Sequence, residues 1–411
     1  MTQHQSFAAL RHPGFRMFFI GNACTMLADN MEHVISYWVM YQKFHSPALS
    51  GYAVISHWLP FLAFSIPMGA LTDRFDPRRL IQIGMLLFMS VSLAWGLLFA
   101  TDSLQIWHCK ILLVIHGISG VFWNTSAQVL LYDIVGPERL QSAVRSNASS
   151  RYLGTLMGPA VGSALMLVVT PAHAMFINML IYLPLLLWLW KAPYGPKFRA
   201  APPLQRAIRG FADVFATLRA VASNHALFSM ILLSGCASLF IGTAYQAQMP
   251  GFAKMLGHGN PGVAYGVLLA ADAAGALLAG ILLESRGMLR PKPATAFLLA
   301  GLWCTSLAAF ALSGNYPLAI ALLFAAGFLE LSFGSMSQTL VQLNAPNELR
   351  GRVIGVFGMA ALGMRTFSGV TVGLLGDVIG IRYSLSLSAG ALLVAVLILS
   401  WWGRQRTAVN Q

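Results

Sequence analysis

The sequence is poor in charge: 9% of its 411 residues are Asp, Glu, Lys or Arg, and 57% are hydrophobic. An ordinary soluble domain has roughly 25% charged residues. The shortfall excludes a soluble protein with a single anchor and leaves a chain that crosses a bilayer many times. Acids are scarcer still, 13 against 26 bases, giving a net charge of +13. Such an excess can suit nucleic acid. Here the bases cluster in short stretches between apolar runs, which excludes that partner. There are four cysteines, Cys24, Cys109, Cys236 and Cys304. They have neither metal-ligand nor disulfide spacing and lie in or beside apolar runs, so they read as packing residues. No Gly-x4-Gly-Lys-Ser/Thr phosphate loop occurs, which argues against ATP-driven work by this chain alone. No nucleophile–base pattern is visible, so no enzyme and no cofactor is expected. No secretory leader is expected either, because residues 1–13 are polar and the first apolar run is too long.

What is present is a series of runs near the ~20 residues needed to span a membrane. They cover about 14–42, 48–72, 79–101, 104–132, 140–169, 172–191, 225–249, 260–284, 293–313, 316–344, 351–379 and 381–403. With the N-terminus in the cytoplasm, twenty Lys and Arg fall in inward segments, from Arg11 to Arg406. Only Lys43, Lys254 and Arg382 fall outside, while Lys110, Arg151 and Arg365 lie within spans. The positive-inside rule therefore supports twelve spans with both ends cytoplasmic, in a cell inner membrane. The longest loop, 192–224, is rich in Pro and Arg and has an amphipathic piece from Leu204 to Val221. It divides a bundle of residues 1–191 from one of residues 225–411. The halves echo each other about 210 residues apart: Gly69-x-x-x-Asp73 against Gly280-x-x-x-Glu284, and Pro137-Glu138-Arg139-Leu140 against Pro346-Asn347-Glu348-Leu349. A parallel repeat with a midplane site between its halves is a transporter architecture.

Six charged residues sit near span centres: Asp29, Glu32, Arg151, Asp272, Glu330 and Arg365. Each costs roughly 2.5–3.5 kcal/mol to insert, so each must face a partner or a wet cavity. Asp29 stands four residues before His33, with Glu32 beside it, and a buried carboxyl is a candidate proton carrier. Asp29 is the first choice, followed by Glu32, Asp272 and Glu330; the competing reading is a salt bridge from Asp29 or Glu32 to Arg151 or Arg365. Asp29-x-x-Glu32-His33, with His57 and His116, also offers ligands that borderline cations accept. No spacing forces these groups together, and no metal is assigned. Candidate cavity residues are His33, His57, Trp58, Trp123, Asn124, Gln128, Arg151, Tyr245, Gln246, Gln248, Gln338 and Arg365. Asn124-Thr-Ser and Asn147-Ala-Ser match the glycosylation pattern but lie inside spans.

Two motifs support a resemblance to a known family. Gly69-Ala-Leu-Thr-Asp73-Arg74-Phe-Asp76-Pro77-Arg78-Arg79 resembles motif A of the major facilitator superfamily, with Asp76 where glycine is usual. The resemblance implies a gating role for Gly69, Asp73, Arg74 and Arg78. Gly154-x-x-x-Gly158-Pro159-x-x-Gly162-Ser163 resembles the antiporter motif of that superfamily, with Ser163 replacing its last glycine. As a small-xxx-small stripe it also serves close helix packing. In proton-coupled drug antiporters an Arg precedes a Gly by four residues in the fourth span. Here His116 precedes Gly120: either His116, which can titrate near neutral pH, joins the proton pathway, or the Arg role moves to Arg151 in the fifth span. The stretch Asp133–Ala143 and Glu348-Leu-Arg-Gly-Arg-Val353 are similar to the subgroup of enterobactin-type siderophore exporters and macrolide efflux proteins. The resemblance covers about residues 10–400. It implies an all-α membrane protein of two six-helix bundles. It also implies a monomeric, proton-coupled exporter of a small organic compound, with protons and the lipid bilayer as its other partners. An importer of a small polar metabolite and an exporter of a metal ion or metal chelate are the alternatives.

Overall fold

Proline starts six of the α-helices. Pro13, Pro47, Pro77, Pro171, Pro261 and Pro293 each occupy the first position of one, where the missing N–H would have had no partner. In the computed structural model, which describes residues 6–198, 211–257 and 261–409, every regular element is helical. The N-terminal half contains α1 (Pro13–Phe44), α2 (Pro47–Arg74), α3 (Pro77–Ala100), α4 (Ile106–Val168), α5 (Pro171–Ile181) and α6 (Leu183–Lys191). After α7 (Phe211–Ser223) come α8 (His225–Phe240), α9 (Ala244–Ala247), α10 (Met249–Met255), α11 (Pro261–Arg286), α12 (Pro293–Leu312) and α13 (Tyr316–Asn344). The chain ends with α14 (Arg350–Gly358), α15 (Arg365–Ser368), α16 (Leu375–Ile379) and α17 (Ile381–Val409). Arg199, Arg206 and Arg209, and the start of the amphipathic piece at Leu204, lie outside the described residues; α7 covers its remainder.

Nine described helical stretches are long and apolar enough to cross a membrane, and α4 is long enough to cross twice. The other two spans are α1, diluted by Asn22, Asp29, Asn30, Glu32 and His33, and the broken stretch from α14 to α16. The protein is an all-α membrane protein of twelve spans in two six-helix bundles.

Four of the runs depart from the sequence expectation. Residues 104–132 and 140–169 are not separated by a loop: α4 passes through both, broken at Gly136 (φ 69°, ψ 177°). That conformation is open to glycine and costly for other residues; Pro137 then restarts the helix. The run 225–249 breaks at Gly242 (φ 51°), between α8 and α9. The run 351–379 has π-helical turns at Met359–Gly363 and Gly369–Leu374. Such wide turns often mark functional positions.

Each half has its own apolar core. Phe15, Phe18, Ile81, Phe88, Leu130 and Leu185 pack in the first; Trp303, Phe310, Phe333, Leu340 and Leu392 pack in the second. Two smaller clusters bridge the halves. One joins Phe61, Met68 and Val121 to Leu362, and the other joins Ala148 to Ala276, Ala279, Leu283 and Leu331. Outward-facing Ile20, Leu86, Leu298 and Leu397 are more than half exposed, as expected of a surface covered by lipid tails.

Candidate functional site

The midplane charges separate into two groups that sequence spacing does not distinguish. The first lies within the N-terminal half. Asp29 and Glu32 project from α1 and His116 from α4. Nδ1 of His116 lies 2.7 Å from Glu32 Oε1, and its Nε2 lies 2.9 Å from Asp29 Oδ1. Ser92 donates to Glu32 Oε2, and Asn178 donates to the same oxygen at 3.4 Å. His33 Nδ1 is 4.0 Å from the second Asp29 oxygen. The salt bridge from Asp29 to Arg151 or Arg365 is therefore not formed; histidine fills that place. His33, His57 and His116 are brought together here, although nothing in their spacing requires it.

The second group lines a cavity of about 590 Å³ between the halves. Its wall includes Arg151 and Gln128 from α4, Gln246 from α9, Asp272 from α11, Glu330 and Gln338 from α13, and Arg365 from α15. The Tyr245 hydroxyl donates to Asp272 Oδ2 at 3.0 Å and lies 3.4 Å from Glu330 Oε2. Gln246 Nε2 donates to Asp272 Oδ2 at 3.2 Å. Asp272 Oδ1 is buried with no partner. A phenol has one proton to donate. Satisfying both carboxyl contacts takes a second proton, on one of the acids. Arg151 and Arg365 lie within electrostatic reach of Glu330, and the Arg151 side chain has no hydrogen bond or ion pair among the described residues. Arg365 stacks over the Trp58 ring at 4.9 Å, and its Nε is buried and unpartnered.

Several expected cavity residues lie elsewhere. His33 and His57 belong to the histidine cluster, and Trp58 supports Arg365 from the side. Trp123 donates to Asn22 at 2.8 Å and, with Asn124, faces a small side pocket. Gln248 donates to the Val372 carbonyl at 2.9 Å, whereas Gln128 is on the cavity wall and also accepts from Gln342 across the interface at 3.3 Å. Sequence reasoning missed Asn30, Tyr152, Thr155 and Trp303 on the cavity wall. Tyr152 follows Arg151 directly, and that adjacency was the available signal.

The motif residues close one end of the bundle, the end nearest both termini. A Cβ on Gly69 would stand 2.2 Å from the Gly351 carbonyl, so α2 and α14 meet backbone to backbone. Asp73 accepts from the backbone N–H groups of Gly351 (2.6 Å) and Arg352 (3.2 Å). It thus caps α14, where the helix dipole favours an anion. Arg352 Nε is 3.8 Å from the same carboxylate. The second half repeats the device: Ser142 donates to Glu284, and Arg145 donates to the carbonyls of Leu283 (3.0 Å), Met288 (2.7 Å) and Leu289 (2.7 Å). Arg74 and Arg78 do not join this contact. Arg74 lies over Phe75, and Arg78 pairs with Asp76 at 2.5 Å and stacks over Phe198. Asp76 also accepts from the Arg78 N–H and starts α3, which accounts for an acid where glycine is usual. The glycine stripe packs α4 on α1. Cβ atoms added at Gly154 and Gly158 would meet Met26 and Asn30, and Pro159 lines the cavity. At the opposite rim, Lys43 lies 2.5 Å from Asp102 and lowers that carboxyl below its usual range.

Comparison with known proteins agrees with the fold. The model of the family described as transmembrane secretion effector matches residues 4–407. Among curated proteins, none matches the chain in sequence. Many solved structures share its fold, among them three transporters. The E. coli fucose:proton symporter FucP has 13% identity and a TM-score of 0.72, covering 95% of this chain and 98% of its own. The human organic anion transporter MFSD10 has 14% identity and a TM-score of 0.72, covering 94% and 99%. The proton:xylose symporter XylE has 16% identity and a TM-score of 0.73, covering 97% and 96%.

Proposed function

The chain belongs to the transmembrane secretion effector family of the major facilitator superfamily, and from that premise we propose that it is a proton-coupled exporter of a small organic anion. That it is a secondary transporter follows from the family; direction, cargo and coupling are our reading. The observation behind the reading is the cavity that holds Asp272, Glu330, Arg151 and Arg365 together. Its volume falls in the ~300–1,000 Å³ range of small-molecule sites. The two guanidinium groups give an acidic substrate of the siderophore or drug-like class something to bind. Among the described residues no histidine or cysteine lines the cavity, which weighs against a bare transition-metal cargo. The glycine–proline stripe, similar to an antiporter motif, supports export over import.

In this reading the protein sits in the cell inner membrane as a monomer with both termini cytoplasmic, which makes the closed end the cytoplasmic one. Residues 1–191 and 225–411 rock as two bodies joined by 192–224. Protons entering from outside load the Asp272–Tyr245–Glu330 group; on the inner side the group loses them before substrate binds at Arg151 and Arg365, so that proton and substrate occupy the cavity in turn. Asp272 and Glu330 replace Asp29 as the first choice for coupling, because they share the cavity with the arginines.

Inverted vesicles test this directly. Addition of substrate should evoke proton movement in the native protein. Asp272→Asn combined with Glu330→Gln should abolish it while leaving substrate binding measurable. Proton movement that survives both changes would sink the coupling assignment, and a substrate that moves only into cells would sink the export reading.

A further inference from the structure

Three imidazoles from three helices converge inside the N-terminal half. His33 lies on α1, His57 on α2 and His116 on α4. At 1.5 Å per residue, each is about 15–17 Å from the end of its helix that faces away from the termini. They therefore share one level. One nitrogen from each ring lies within 4.8 Å of a nitrogen from both others. Ring centroids are 4.7 Å apart for His33–His57, 4.7 Å for His33–His116 and 5.8 Å for His57–His116.

The hydrogen bonds around the cluster are unequal in a telling way. Nδ1 of His57 is buried and has no partner, so a polar atom is held in the cluster without a bond to justify it. Asp29 presents Oδ1 to His116 Nε2 at 2.9 Å and Oδ2 toward His33 Nδ1 at 4.0 Å. On the other side of the His116 ring, Glu32 sits 2.7 Å from Nδ1 and is itself held by Ser92 and Asn178. A carboxylate that takes the N–H of one ring nitrogen fixes the tautomer and frees the other nitrogen's lone pair. Histidines that bind metals are commonly oriented in this way.

We propose that His33, His57, His116 and Asp29 form a four-coordinate site for a divalent cation of the zinc class. Zinc holds nitrogen ligands at about 2.0–2.1 Å, which in a tetrahedron spaces them about 3.4 Å apart. Shifts of about 1 Å bring the three nitrogens to that spacing. The ion takes the place of the hydrogen between His116 Nε2 and Asp29 Oδ1. Asp29 and Glu32 together offset its two charges, and Arg365, the cation facing the cluster from the other half, is held against Trp58. None of the three histidines lines the central cavity. The ion is therefore a resident clamp on α1, α2 and α4, and the proposal is independent of what is carried and in which direction.

The full-length protein, stripped with chelator and held in lipid nanodiscs, is dialysed against Zn2+, and bound metal is counted by mass spectrometry. One zinc per chain is expected. His57→Gln breaks no bond of Nδ1 and should lose that zinc, whereas His108→Gln and His173→Gln, outside the cluster, should keep it. Glu32→Gln should weaken binding by about 10–100-fold. Co2+ in the native protein should give the intense visible bands of four-coordinate cobalt, a readout that needs no variant to fold. A native protein that binds no stoichiometric zinc, a His57→Gln protein that retains it, or a pale six-coordinate cobalt spectrum would each overturn the site.

Discussion

Arg365 joins two chemistries: its plane rests on Trp58 while its charge faces Glu330 and the cavity. A lysine keeps the charge but not the planar fork or the stacking. Arg365→Lys should weaken binding of an anionic substrate by about tenfold or more, since hydrogen bonds to charged groups contribute about 1.5–3 kcal/mol; binding calorimetry measures it, and unchanged affinity would exclude a direct contact. Tyr245 is fully buried, with its hydroxyl between two carboxyl groups. Tyr245→Phe removes that donor and should lower stability by about 1–3 kcal/mol, the usual cost of leaving a buried polar group unmatched. Unfolding in mild detergent checks it. At this scale the sequence is half legible. Insertion cost alone singles out Asp29, Glu32, Arg151, Asp272, Glu330 and Arg365 as needing partners. Which partner each receives depends on contacts over 84 and 87 residues, as with His116, and no local spacing encodes those.

Gly136 shows what elements add to residues. Its left-handed, extended backbone breaks α4 between two spans without a loop. Gly136→Ala should cost about 1–3 kcal/mol, the penalty for a side chain in that region of backbone space, and should be seen as a lower unfolding temperature. The stripe on α4 makes a second demand. A Cβ at Gly158 would stand 2.4 Å from the Cβ of Asn30, so Gly158→Leu should force α1 away at a cost of about 1–3 kcal/mol from overpacking, read out by the same unfolding measurement. Run length and Pro or Gly punctuation are enough to locate the twelve spans. The breaks inside spans 7 and 11 are not legible. The turn at 359–363 packs on α2 of the first half, while Gly242 meets Ser368 within the second half; a one-dimensional apolar pattern contains neither contact.

Across the whole molecule, the closed end is a balance between two arrangements. Asp73 caps α14, and Glu284 receives Ser142 from the opposite half. Asp73→Asn removes a charge from a helix N-terminus, an effect of about 1 kcal/mol, and so should raise the open population at that end about fivefold. Spin labels placed by Glu138→Cys and Pro346→Cys, exposed positions in opposite halves, would report it as a longer distance; an unchanged distribution would exclude Asp73 from the latch. The 210-residue echo makes this arrangement readable in the amino-acid order alone, because both copies of the Gly-x-x-x-acid pattern sit at equivalent helix ends. The cavity's volume is not readable there, since it is what remains after packing. That volume has a consequence for the solvent. At about 30 Å³ per molecule in the liquid, 590 Å³ corresponds to about 20 waters. A substrate that fills the space returns them to bulk at every turnover. Osmolytes too large to enter should therefore tighten substrate binding, and the slope of log affinity against osmolality should count those waters.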